Sequence, residues 1–179
     1  MMQKLSMDEL HRISVDEFKE TKKIPLVIIL DNIRSMHNVG SIFRSSDAFL
    51  IEKIILCGFT PRPPHRDINK TALGATETVH WEYQENILDA IASLKEDGYK
   101  IWGIEQVDNS IPLENFKVTN TDKTAIILGN EVEGVQEDAL LQCDGSIEIP
   151  QFGTKHSLNV SVAGGILIWE IAKAYLLKK

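Results

Sequence analysis

The 179-residue chain is poor in cysteine: Cys57 and Cys143 lie far apart and form no CxxC spacing. A disulfide framework or a cysteine zinc site is therefore excluded, and buried free thiols in a reducing compartment are expected. Long apolar runs are also missing. The longest, residues 24–30 and 162–169, fall well short of the ~20 residues that span a bilayer. The opening MMQKLSMDELHR has acids early and no apolar h-region, so the reading expects no secretory leader and a cytoplasmic location. Several chemical signatures are absent. There is no GxGxxG after the first strand, no GxxxxGK[ST], no HExxH and no GxSxG, and the five histidines are scattered. Dinucleotide, P-loop and hydrolytic-zinc chemistries lose their fingerprints, and no metal site is expected.

Positive charge is scarce too, at 19 Lys and Arg against 26 Asp and Glu, net −7. That total argues against a nucleic-acid partner, but its distribution is uneven. Residues 34–70 hold six bases and three acids, residues 71–150 four and sixteen, and residues 151–179 four and one. A chain that is acidic in bulk can still carry a basic face.

What remains is ordinary globular composition, 43% hydrophobic and 25% charged, at a length that suits one domain. Capping-box spacings at Ser6/Glu9 and Ser14/Glu17 predict one or two short helices. The run at 25–30 reads as a strand buried on both faces, followed by a loop, a helix over 39–50 and a strand over 53–57. Residues 58–68, with three prolines, read as loop. A weak strand at 79–83, a helix at 86–97 and strands at 99–104 and 124–128 follow. A short helix at 137–142, a strand at 146–149 and a long apolar helix at 158–177 complete the pattern. Alternating strands and helices predict an α/β fold with a mainly parallel sheet and helices on both faces.

Ligands of open parallel sheets collect at the carboxyl ends of strands, and three polar loops follow strands here. In the first, Asn38 is placed to cap the next helix, Gly40 permits close approach, and Arg44 lies one to two turns into that helix. In the second, Gly129-Asn130-Glu131-Val132-Glu133-Gly134 predicts a tight turn whose amides face a ligand. In the third, Ser157 is a candidate N-cap for the long helix, with Asn159 in its first turn. Adjacent Gly164 and Gly165 inside that helix predict close approach of another backbone.

Taken together and in order, these segments resemble the SPOUT superfamily of RNA methyltransferases, most closely its TrmH/SpoU class of ribose 2′-O-methyltransferases. Asn38-x-Gly40-x-x-x-Arg44 looks like the first motif of that class, Leu128-Gly129-Asn130-Glu131-x-x-Gly134 like the second, and Ile149-Pro150-x-x-Gly153-x-x-x-Ser157-Leu158-Asn159 with the following Val-Ser-Val-Ala like the third. One departure is Gln151-Phe152, where methionine is frequent after the proline.

The resemblance implies a C-terminal deep trefoil knot, S-adenosylmethionine as cofactor and a homodimer with the active site at the subunit interface. It divides the chain into a short helical extension, 1–23, and a methyltransferase domain, 24–179. The cofactor is expected against the backbone of Ile104, Gly129, Ile149 and Leu158. Arg44 is expected to hold a phosphate and stabilise the forming alkoxide, since a guanidinium is a poor base. Asn38 and Asn159 are expected to orient groups, Glu131 to position Arg44 or the nucleotide, and Ser157 to contact substrate or cap the helix. Arg62, His65, Arg66 and Lys70 are expected to hold the RNA backbone. The RNA is expected to be tRNA rather than rRNA, because a minimal unit suits an exposed loop. Two alternatives stay open: a non-catalytic knotted module that binds RNA or cofactor, and a base-methylating SPOUT enzyme.

Overall fold

The first strand, β1 (Ile24–Asp31), is built from a run of Leu, Ile and Val that divides between two apolar cores. Leu26, Ile28 and Leu30 enter one core, while Val27 and Ile29 enter the other. Successive side chains of a strand point to opposite faces, so a strand covered on both sides needs no polar positions. The structure is a computed structural model that describes residues 2–6 and 8–177; the last two positions of the expected 24–179 span lie outside the described residues.

Six further strands join β1: β2 (Ile51–Cys57), β3 (His80–Gln84), β4 (Lys100–Ile104), β5 (Ile111–Pro112), β6 (Thr124–Leu128) and β7 (Gly145–Glu148). Every pairing is parallel, in the order β3-β2-β1-β6-β4-β7-β5. Leu30 stands opposite both Leu56 and Leu128, so β1, β2 and β6 end level and their loops share one edge.

Helices cover both faces. On one side lie α1 (Val15–Glu20), α2 (Met36–Ala48), α3 (Arg66–Ala72), α4 (Ala75–Thr78) and α7 (Val160–Leu176), which bring Phe18, Phe43, Ile68, Ala75 and Leu167 to the first core. On the other side lie α5 (Ile87–Glu96) and α6 (Glu137–Leu141), with Ile91 and Ala139 in the second core. The parallel α/β architecture is as expected. No described helix is long and apolar enough to cross a membrane.

Several local expectations need correction. The Ser14/Glu17 capping box forms in both directions and starts α1, whereas Ser6 and Glu9 bracket only a 3₁₀ turn, Asp8–Leu10. Helix α2 begins earlier than read, because Ser35 is its cap and accepts from the Asn38 amide at 3.3 Å. Asn38 therefore sits inside the first turn, and its side chain is released for other partners. Helix α7 is capped by Asn159, not Ser157: the Asn159 Oδ1 accepts from the Ser161 N–H at 2.9 Å and the Val162 N–H at 3.4 Å.

Helix α3 starts within the expected loop, once the prolines end, with the His65 Nδ1 accepting from the Asp67 N–H at 3.1 Å. Helix α4 and strand β5 are too short to leave a periodic signal. Within the chain, the glycines of α7 meet side chains rather than another backbone. A Cβ on Gly164 would lie 3.0 Å from the Leu128 Cδ1 and 3.6 Å from the Ile42 Cγ1, so the glycine lets α7 settle over β6 and α2.

Candidate active site

The carboxyl ends of β6, β4 and β7 meet around a cavity of about 450 Å³. The four expected cofactor contacts, Ile104, Gly129, Ile149 and Leu158, all line it, together with Glu131, Ser157 and Asn159. They come from three stretches of chain that are distant in sequence and gathered by the strand order.

The turn after β6 is tied at both ends. Asn130 and Gly134 exchange backbone hydrogen bonds at 2.9 Å each, and the Asn130 Oδ1 accepts from the Val132 and Glu133 N–H groups at 2.9 and 3.1 Å. The Asn130 Nδ2 donates to the Asn32 carbonyl at 2.7 Å, which joins this turn to the loop after β1. A Cβ on Gly129 would overlap the Gly134 carbonyl carbon and the Val135 nitrogen, so only glycine fits that closure. Beneath it, the fully buried Asp31 carboxylate accepts from the Gln136 N–H at 2.9 Å and from its side-chain amide at 2.6 Å. Burial raises the Asp31 pKa, and the two Gln136 bonds only partly oppose this.

Glu131 reaches from this turn to the amino end of α2. Its carboxylate accepts from the Arg34 N–H at 2.9 Å, the Ser35 N–H at 3.0 Å and the Asn38 Nδ2 at 2.9 Å. Unpaired helix N–H groups and the positive end of the helix dipole favour an anion there. The Asn38 Oδ1 in turn accepts from the Asn159 Nδ2 at 3.1 Å. A carboxylate at one end only accepts, and the α7 N–H groups at the other only donate. Both intervening amides therefore have a single satisfying orientation. The Glu131–Asn38–Asn159 chain thus locks all three motif loops together.

Partial burial alone would raise the Glu131 pKa, but the bonds from Arg34, Asn38 and Ser35 outweigh it and the net shift is downward. The folded pKa lies below the unfolded one. The stabilisation is therefore complete above the ordinary carboxylate range and is lost as pH falls through the lowered value. Wild type is expected to melt above Glu131→Gln near neutrality, with the gap closing as pH falls below the ordinary carboxylate range. Thermal unfolding across that window checks this; a gap independent of pH would contradict the assigned charge.

Four carboxylates, from Glu105, Glu131, Glu133 and Glu148, line the cavity, and among the described residues no Lys, Arg or His does. The Glu105 Oε2 accepts from the Val135 N–H at 3.2 Å, and Gln106 beside it donates to the His156 carbonyl at 3.2 Å, tethering the loop after β7. Such a lining suits a ligand with positive charge. No group of three or more His, Cys, Asp or Glu with metal-binding spacing occurs among the described residues.

Other expected site residues stand apart. Arg44 is exposed on α2, about 120° around the helix from Asn38, and does not line the cavity. It shares a stripe with His37 and Gly40, the stripe on which α3 packs. Arg62 lies over the Tyr83 ring at 4.1 Å, His65 is occupied as the cap of α3, Arg66 is exposed, and Lys70 pairs with Asp67 at 2.6 Å. The sequence reading did not single out Glu105, Asp31 or Gln136, and gave Asn130 a place in the second motif but no role. The available signal was position, since Glu105, Asp31 and Asn130 all stand at or just past the carboxyl end of a strand.

Residues 25–169 match the family model of the SpoU rRNA Methylase family. Over 163 residues the chain is 32% identical to the 23S rRNA (guanosine-2′-O-)-methyltransferase RlmB of Neisseria meningitidis, covering 91% of this chain and 64% of that protein. Over 169 residues it is 30% identical to the tRNA (guanosine(18)-2′-O)-methyltransferase of Thermus thermophilus, covering 94% of this chain and 84% of that protein. The chain thus spans about two thirds of the length of the RlmB relative. Among solved structures, the A. aeolicus TrmH/SpoU tRNA modifying enzyme superposes with a TM-score of 0.79 at 25% identity, over 89% of this chain and 81% of the other.

Proposed function

The chain belongs to the SpoU rRNA Methylase family, and on that premise we propose that it transfers a methyl group from S-adenosylmethionine to a ribose 2′-hydroxyl of RNA. The observation that carries this reading is the cavity at the carboxyl ends of β6, β4 and β7, closed by the Gly129 turn and locked to α2 by Glu131. Its volume falls in the usual range for small-molecule sites. Its acidic lining, free of cations, fits a sulfonium compound. When bound, that cofactor supplies an already activated methyl electrophile, so no metal is required.

The chain's own residues then orient and stabilise. The backbone at Ile104, Gly129, Ile149 and Leu158 forms the cofactor seat. Asn38 and Asn159 hold the third loop against the first, and Ser157 stands at the rim to meet the nucleotide. A guanidinium keeps its proton, so Arg44 acts by charge on a phosphate and on the developing alkoxide. One chain's Arg44 lies off its own cavity. We therefore assign a homodimer in which the partner's Arg44 completes each site. Support for this comes from Val162, Ile166 and Trp169, an exposed apolar stripe along α7, which packs beside α2. Residues 24–179 form the catalytic domain of this reading, residues 1–23 an extension, and the segment leading to α7 is threaded as a trefoil knot.

The preferred substrate is an exposed tRNA loop in the cytoplasm. A relative named as a tRNA (guanosine(18)-2′-O)-methyltransferase, 30% identical over 94% of this chain, supports tRNA. The test is tritiated-methyl transfer to total RNA from a strain lacking the gene. Label in the tRNA fraction is expected. Cofactor binding with no incorporation would favour a non-catalytic module.

A further inference from the structure

We propose that Phe59 is a stacking platform for an unpaired nucleobase next to the target ribose, with Arg34, Arg62 and Arg66 as its phosphate contacts. This rests on the RNA reading above and adds the feature that separates single-stranded from duplex substrate.

Phe59 follows β2, and its ring is 62% exposed. The turn that carries it is fixed. The Gly58 N–H donates to the Gln84 carbonyl at 3.2 Å, the Phe59 N–H to the Asn32 Oδ1 at 3.1 Å, and the Thr60 N–H to the Cys57 carbonyl at 3.1 Å. The buried Thr60 hydroxyl donates to the Leu30 carbonyl and accepts from the Ile33 N–H, both at 3.0 Å. Gly58 has φ +58°, and a Cβ there would overlap the Asn32 Oδ1. Three successive amides are committed, so the backbone that carries the ring is fixed. A rigid turn that holds a phenyl ring in water is preorganised for a flat apolar partner.

Placement and charge identify that partner. β2, β1 and β6 are adjacent and end level, so the Phe59 turn lies about 10 Å from the Gly129 turn, two strand spacings away. The loop between them carries exposed Arg34, whose amide is held by Glu131. Arg62 is steadied over Tyr83, and residues 58–70 carry three bases against one acid in a chain of net −7. Cations on the same loop and on the neighbouring one, beside an exposed ring in sequence, match a phosphodiester with a free base. Bases within a duplex have both faces covered and cannot stack on it.

The test uses fluorescence anisotropy with a dye-labelled single-stranded RNA and with the same strand in a duplex. Wild type is expected to bind the single strand more tightly. Phe59→Ala and Phe59→Leu are each expected to weaken single-strand binding at least about fivefold, with duplex affinity and calorimetric S-adenosylmethionine affinity unchanged. Phe59→Trp should retain wild-type single-strand affinity. The leucine variant keeps apolar bulk but has no π face, so wild-type binding by it overturns the proposal. Equal losses on single strand and duplex also overturn it. A wild-type protein that binds neither RNA overturns the underlying RNA reading as well.

Discussion

Replacing Arg44 by alanine is expected to lower methyl transfer by about 10²- to 10³-fold, the range seen when one charge-stabilising group is removed from a reaction site. The same change should leave S-adenosylmethionine affinity within about twofold of wild type, because Arg44 does not line the cavity. Stability should move by less than about 0.5 kcal/mol, since Arg44 is exposed and makes no hydrogen bond or ion pair among the described residues. Single-turnover kinetics, calorimetry and a thermal melt separate these three quantities. A variant that turned over at the wild-type rate would remove Arg44 from the mechanism.

Gly129→Ala should fail in the opposite way. The added methyl meets backbone atoms of Gly134 and Val135, which cannot rotate aside as a side chain can. The turn must open, at about 2–3 kcal/mol, and the cavity wall moves with it. Cofactor binding should fall at least a hundredfold, with the melt showing a folded but weakened protein. Because one variant spoils the cavity and the other spoils the arginine, mixing them tests whether the two come from different subunits. If the partner's Arg44 serves each cavity, random re-association should restore about a quarter of wild-type transfer. If each chain uses its own arginine, the mixture stays inactive.

The parallel α/β class was legible because buried strands and amphipathic helices leave strong periodic signals, as in residues 25–30 and 86–97. The cavity-lining residues were legible through the three motif segments, since Gly129, Ile149 and Leu158 stand in the turns that the strand order brings together. Capping was less so. Ser157 and Asn159 are both good cap residues two positions apart, and only the backbone path decides between them. The same ambiguity hid Ser35 behind Asn38. Asn38 then proved to link Glu131 with Asn159, an interaction spanning more than ninety residues that no local pattern encodes. Helix α3 emerged from a proline-rich stretch because its start depends on where the last proline ends. Arg44 was found by motif, but its distance from its own cavity is a matter of helix phase and tertiary packing.

On the proposed function, these turns present a sulfonium methyl to a sugar oxygen. Nuclease digestion of RNA methylated by the purified protein, followed by nucleoside mass spectrometry, tests it most directly. A 2′-O-methylated nucleoside is expected, with the added mass retained on the ribose fragment. Methyl mass on the base fragment instead would contradict it.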